Sequence, residues 1–178
     1  LRRSSAASDV YKRQIYINTN LAACAGVMTC AVITRLVNGK TDVIMMLNGA
    51  LGGLVAITAE PLTPTPIMAI IIGAIGGIIV ILGTQALNKL QIDDVVGAIP
   101  VHLFAGIWGT LAVPLTNSGT SFGPQLLGTA SICAFVFVVS FIVWSIMKAT
   151  IGIRISEEAE KEGTDIAETG VTAYAIRD

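Results

Sequence analysis

Residues 93–109 read Asp93-Asp94-Val-Val-Gly-Ala-Ile-Pro-Val-His102-Leu-Phe-Ala-Gly-Ile-Trp-Gly109, and this stretch decides how the chain is interpreted. It contains the only histidine among 178 residues, and that histidine lies in an apolar run. A titratable side chain is costly inside a membrane segment unless it faces a partner or a cavity. We therefore predict that this stretch forms a helix lining a pathway through a membrane.

The composition around this stretch supports a membrane protein. The chain is 53% hydrophobic and 13% charged, whereas soluble domains average about 25% charged residues. From Val43 to Met147 the only charged residues are Glu60, Lys89, Asp93 and Asp94. We predict an all-α, polytopic helical membrane protein. The net charge of −1 and the lack of a basic stripe argue against nucleic-acid binding.

Hydropathy divides the chain into three parts. We predict five transmembrane helices within residues 15–150, at about 15–37, 43–59, 67–87, 95–115 and 126–148. Residues 1–14 are rich in Arg and Ser without an apolar period, and we expect them to be non-native or disordered. Residues 151–178 are predicted to form a cytoplasmic tail.

The loop charges predict an orientation. Lys and Arg occur after the first, third and fifth predicted spans, whereas loops 60–66 and 116–125 contain neither. The positive-inside rule then places Asp93, Asp94 and the C-terminus in the cytoplasm. An odd number of spans beginning outside indicates one half of an inverted-repeat transporter, and hence an incomplete protein.

Small residues recur at helical spacing in the second and third spans. Gly49, Gly53, Gly73 and Gly77 form small-xxx-small patterns, which allow helix backbones to approach closely in lipid. We predict that these glycines pack helices. Neither run is preceded by a strand, so neither predicts a nucleotide loop.

On a regular helix, His102 shares its face with Ala98, Ala105 and Gly106. A stripe of such small residues can leave a narrow lumen lined by one imidazole, or it can admit a neighbouring helix that hydrogen-bonds to it. We predict a pore that conducts substrate past His102, Ala98, Ala105 and Gly106. Pro100 is expected to kink the helix just before the histidine.

The two acidic residues at the start of this span have a structural interpretation. Asp93 and Asp94 are predicted to cap the helix and complement its dipole. Intramembrane aspartyl proteolysis needs two carboxylates on facing helices, and adjacent residues do not supply that arrangement. With one His and three separated Cys residues, no nucleophile–base pair or metal cluster is predicted, so we expect neither an enzyme nor a cofactor.

Several motifs together resemble the ammonium transporter family over roughly residues 15–174. They are Asp93-Asp94-x5-Pro100-Val-His102-x3-Gly106-x2-Gly109, Asn18-Thr-Asn20, Asn48-Gly49-x2-Gly-Gly53-Leu-Val-x-Ile-Thr58, and Arg154-x-Ser156-Glu157-Glu158-x4-Gly163-x-Asp165. The chain departs from the family pattern at Leu103, where glycine is common, and at Thr169-Gly170, where His-Gly is frequent.

The resemblance implies a homotrimer of eleven-span protomers in the inner or plasma membrane, each with its own pore. It implies an inverted repeat of two five-helix halves plus a long last helix, of which this chain holds the last five spans, and it implies that His102 is the second of two pore histidines. Ammonium would lose its proton on entering the pore, and ammonia would pass the imidazoles. The resemblance also implies a possible PII-type regulatory partner at the tail. An alternative function is ammonium sensing, with the tail passing on the signal.

Overall fold

The structure is a computed structural model that describes residues 2–172, with side chains described from residue 8 onward. Within this range the chain is helical and contains no strand. The helices are α1 Arg2–Asn38, α2 Val43–Thr58, α3 Pro66–Lys89, α4 Ile99–Thr116, α5 Phe122–Thr150 and α6 Glu157–Glu162. A short π-helical turn follows at Asp165–Thr169. The all-α prediction is therefore confirmed.

In residues 2–172, four helices are long and apolar enough to cross a membrane: Ser8–Asn38, Pro66–Lys89, Ile99–Thr116 and Phe122–Thr150. The α2 helix has 16 residues, just below the usual minimum of about 17. Asp42 caps α2 by accepting a 3.0 Å hydrogen bond from the Met45 amide, and Thr65 caps α3 directly before Pro66. Local chemistry therefore sets these helix starts.

The first helix begins earlier than predicted. Residues 2–14 form the opening turns of α1, ahead of the start at residue 15 that the sequence predicted for the first span. The physical reason is local, because no Pro or Gly interrupts the chain between Arg2 and Gly26 and polar helix formers continue the helix at little cost. The idea that the segment is non-native stays a prediction.

The chain divides into two compact units, Leu1–Ala130 and Ser131–Asp178. In the first unit, α1, α2 and α3 contact one another, and α4 lies against α2 and α3. The buried cluster combines Ala22, Ala56, Ile57, Ala69, Ile72 and Ala112. Trp108 packs against this cluster and donates a 3.1 Å hydrogen bond to the Ile72 carbonyl.

Glycine makes this packing possible. A Cβ at Gly53 or Gly73 would overlap the Ala22 carbonyl, and a Cβ at Gly49 would lie 2.6 Å from the Gly26 carbonyl oxygen. A Cβ at Gly77 would lie 2.8 Å from the same Gly26 oxygen. The glycines singled out in the sequence thus face the backbone of α1, where any side chain would separate the helices.

The second unit contains the later part of α5 and the segment after it. No residue of α5 is buried, so its apolar side chains need lipid or other helices around them. Ser156 caps α6 by accepting from the Ala159 amide. Arg154 forms a 2.7 Å ion pair with Glu160, with side chains 79% and 39% exposed, so this pair adds little stability. The last part of the predicted tail, 173–178, lies outside the described residues.

Replacing Gly53 by Ala should destabilise the first unit. The added methyl group would overlap the Ala22 carbonyl, and overpacking of this kind costs about 1–3 kcal/mol. The midpoint of denaturant-induced helix loss in detergent measures the effect. Gly128→Ala is the control, because a Cβ there meets nothing within 4 Å; equal losses in the two variants would contradict the packing role.

Candidate functional site

The fourth span begins at Ile99, four residues after the predicted start at Val95. Gly97 adopts a left-handed backbone conformation, with φ +78°, and separates this helix from the residues before it. The Asp94 carboxylate then accepts hydrogen bonds from the Ala98 amide at 2.8 Å and the Ile99 amide at 2.9 Å. Asp94 therefore occupies the capping position, whereas Asp93 makes no side-chain hydrogen bond within residues 2–172.

The first turn of α4 is π-helical over Ile99–Phe104. The Ala105 amide donates to the Pro100 carbonyl, five residues back, and the chain then continues as a regular α-helix from Ala105 to Thr116. Short π-helical segments of this kind are frequent at functional sites. His102 lies within this turn, which replaces the simple proline kink expected from the sequence.

The extra residue in the π turn changes which side chains share a face. Ala98 and His102 are exposed and Gly106 is half-buried, so these three lie on the open side of α4. Ala105 is 0% exposed, and a Cβ at Gly109 would overlap the Ala56 carbonyl of α2. The prediction that Ala105 lines the same face as His102 is therefore wrong, because Ala105 is buried on the packed side.

Two residues that support the π turn were missed as site residues. Gly83 of α3 lies beneath it, since a Cβ there would be 2.7 Å from Phe104 Cδ2 and 3.0 Å from Pro100 Cβ. Gly83 is seven residues from Gly76, so both lie on one helix face, and this spacing could have identified Gly83 as a packing residue. Asn48 of α2 donates a 2.9 Å hydrogen bond from Nδ2 to the Val96 carbonyl. No local sequence signal links those two positions.

Other polar groups of the first unit lie away from the histidine. Asn117 Nδ2 donates to Glu60 Oε2 at 3.1 Å, and Glu60 lines a cavity of about 10 Å³ with Gly109 and Thr116, which is about the size of one water. Among the described residues, no three His, Cys, Asp or Glu side chains lie close enough to hold a metal ion. The arrangement at His102 is thus a single imidazole on an apolar surface.

Comparison with known proteins identifies the family of this chain. The sequence model of the Ammonium Transporter Family matches residues 3–174. The chain belongs to the ammonium transporter family. The resemblance found from the sequence motifs is therefore confirmed.

The most similar relatives include the ammonium transporter Amt2 of Archaeoglobus fulgidus, which is 42% identical over 88% of this chain and 38% of its own length. A putative ammonium transporter of Synechocystis is 39% identical over 91% of this chain and 38% of its own length. The chain thus spans about two fifths of these relatives. They are named transporters, so this membrane protein belongs to a transporter family and not to an enzyme family.

Solved structures agree on the fold. The chain matches a protein titled Sensor Amt Protein with a TM-score of 0.81 and 30% identity, over 87% of this chain and 41% of that one. It matches a variant of Mep2 from Candida albicans with a TM-score of 0.75 and 28% identity, over 87% and 39% of the two chains. The chain therefore corresponds to part of a larger helical transporter fold.

The capping geometry predicts that Asp94 contributes more than Asp93 to the free energy of unfolding. Asp94→Ala removes both acceptors of the Ala98 and Ile99 amides and should lower the free energy of unfolding by about 0.5–2 kcal/mol. Asp93→Ala should leave it within about 0.5 kcal/mol. Thermal unfolding of the two variants in the same detergent provides the comparison, and a larger loss at Asp93 would refute the assignment of the cap.

Proposed function

We propose that the protein containing this chain transports ammonium or ammonia across a membrane, and that His102 lines the path. The observation that supports this proposal most directly is that the His102 imidazole is exposed on a π turn of an apolar helix. Ala98 and Gly106 flank it on the open side and leave room beside it. The relatives named ammonium transporters support the choice of substrate.

The chemistry of the site fits such a substrate. A neutral imidazole has one donor and one acceptor nitrogen, and either can hydrogen-bond ammonia. A bare cation is costly at the centre of a bilayer, whereas a small neutral molecule is not. Ammonium can leave its proton behind and cross as ammonia. Potassium has no neutral form, so an apolar path excludes it.

The twin-histidine arrangement of the resemblance forms part of this proposal. His102 is the only histidine in residues 1–178, and the matched relatives are much longer than this chain. The second imidazole would therefore come from outside these residues. The homotrimer, the cytoplasmic C-terminus and a PII-type partner at the cytoplasmic face are proposed on the same basis, supported by the loop charges and by the family.

The role of His102 can be tested by uptake of labelled methylammonium in cells lacking their own transporters, with the chain expressed from its complete reading frame. His102→Ala removes one hydrogen-bonding group from the path, a loss of about 1–3 kcal/mol. Flux should fall roughly ten- to hundredfold, or potassium should begin to pass.

Ile132→Ala is the control, because this side chain is 65% exposed on α5 and lies on a different helix from His102. Unchanged uptake and continued exclusion of potassium in a correctly inserted His102→Ala variant would remove His102 from the path.

The match to the Sensor Amt Protein favours a second candidate, ammonium sensing. For a transporter, removal of residues 151–178 should leave measurable methylammonium flux in proteoliposomes. For a sensor, flux should be absent from the intact protein, while ammonium should still change its conformation, for example as seen in the intrinsic fluorescence of Trp108 and Trp144. The flux of the truncated protein and the ammonium response of the intact protein together separate the two candidates.

A further inference from the structure

We infer that Asn48 is a positioning residue for His102: its side-chain amide holds the segment that leads into the π turn and thereby sets the direction of the imidazole. Its consequence for transport rests on the function proposed above for His102. The structural claim itself does not, because it concerns only the geometry of the chain.

The contact is specific and shielded. Asn48 is 8% exposed, and its Nδ2 donates to the Val96 carbonyl at 2.9 Å, across 48 residues of sequence. Gly97, which follows Val96, also lies close to the side-chain amide of Asn48, since a Cβ on Gly97 would lie 2.7 Å from Asn48 Nδ2. The left-handed conformation of Gly97 and the lack of a side chain allow this approach.

The held segment passes directly into the turn that carries the histidine. The Gly97 carbonyl accepts a 3.2 Å hydrogen bond from the Val101 amide, and the Asp94 carboxylate holds the next two amides, of Ala98 and Ile99. Asn48 and Asp94 thus constrain the segment from two sides. His102 follows Val101 directly, so a displacement of Val96 and Gly97 is transmitted to the imidazole through the backbone.

The position of Asn48 is poorly explained by the stability of α2 itself. Asp42 already caps that helix, and Asn is a weak helix former in a helix interior. A buried amide in an apolar span is also costly unless it is hydrogen-bonded. What the amide does at this place is bind the carbonyl that precedes the π turn.

A matched control exists at the other end of the bundle. Asn18 is also buried, at 0% exposure, and also donates from its side chain to backbone carbonyls, those of Pro61 and Pro64 at 2.9 and 2.8 Å. It holds the loop between α2 and α3 and has no link to the π turn. Loss of either side-chain amide removes the same kind of hydrogen bond, but only Asn48 binds the segment that continues into the turn containing His102.

The experiment uses the full chain in nanodiscs, labelled with ¹⁵N-histidine. Because His102 is the only histidine, its two ring nitrogens give the only labelled side-chain signals. In Asn48→Ala these signals should shift or double relative to the unsubstituted chain. In Asn18→Ala they should stay in place, even where thermal unfolding shows a comparable loss of stability.

An unchanged ring spectrum in a folded Asn48→Ala variant would overturn the inference. If that variant does not fold, Asn48→Leu keeps about the same side-chain size, removes the donor and adds no charge, and the same shift is expected. Failure of both variants to fold would also overturn it, because Asn48 would then be needed for the fold as a whole.

The consequence for transport is measured separately. In the complete reading frame, Asn48→Ala should reduce methylammonium flux about two- to tenfold, the effect of losing one hydrogen bond, and Asn18→Ala should reduce it less per folded protein. If His102→Ala itself leaves flux unchanged, the proposed function fails, while the ring spectrum still decides whether Asn48 positions the histidine.

Discussion

The contact between the backbones of α1, α2 and α3 is the constraint on which the rest of the first unit depends. Water is absent from a bilayer core, so helices there gain little from hiding apolar side chains from each other and must associate by close packing. Glycines at positions 49, 53, 73 and 77 place the carbonyls of Ala22 and Gly26 within contact of the neighbouring helices. In this way α1 holds α2 and α3 together as the platform on which α4 lies.

The platform also determines the shape of α4. Pro100 and Phe104 lie over Gly83 of α3, and Gly109 lies over Ala56 of α2. The π turn Ile99–Phe104 lies at the first of these two points, where it adds a residue to the turn and rotates the rest of the helix about its axis. The rotation keeps Ala105 and Gly109 in the packed side and leaves His102 on the open side. The packing of one face of α4 against α2 and α3 therefore leaves the His102 imidazole exposed on the other face.

The sequence predicted some of these features well. The fold class follows from the scarcity of charge between Val43 and Met147, because no amount of tertiary contact makes such a chain soluble. The lone histidine identified the candidate site, and the motif around it identified the family. The sequence interpretation erred where it assumed a regular helix around His102, which assigned Ala105 to the wrong face. It also placed the start of the first span at residue 15, whereas α1 begins at Arg2.

Hydropathy, helix capping and the family motif are properties of short segments. The sequence by itself therefore determined the apolar helices, the Asp93–Asp94 pair as the capping site and the candidate histidine, whereas the structure selected Asp94 as the cap. The open face of α4 and the supporting roles of Gly83 and Asn48 were decided only by the tertiary structure. The physical reason is separation along the chain: Asn48 binds a carbonyl 48 residues away, and the π turn lies on a glycine of another helix. Such contacts depend on how three helices pack, and no local pattern encodes them.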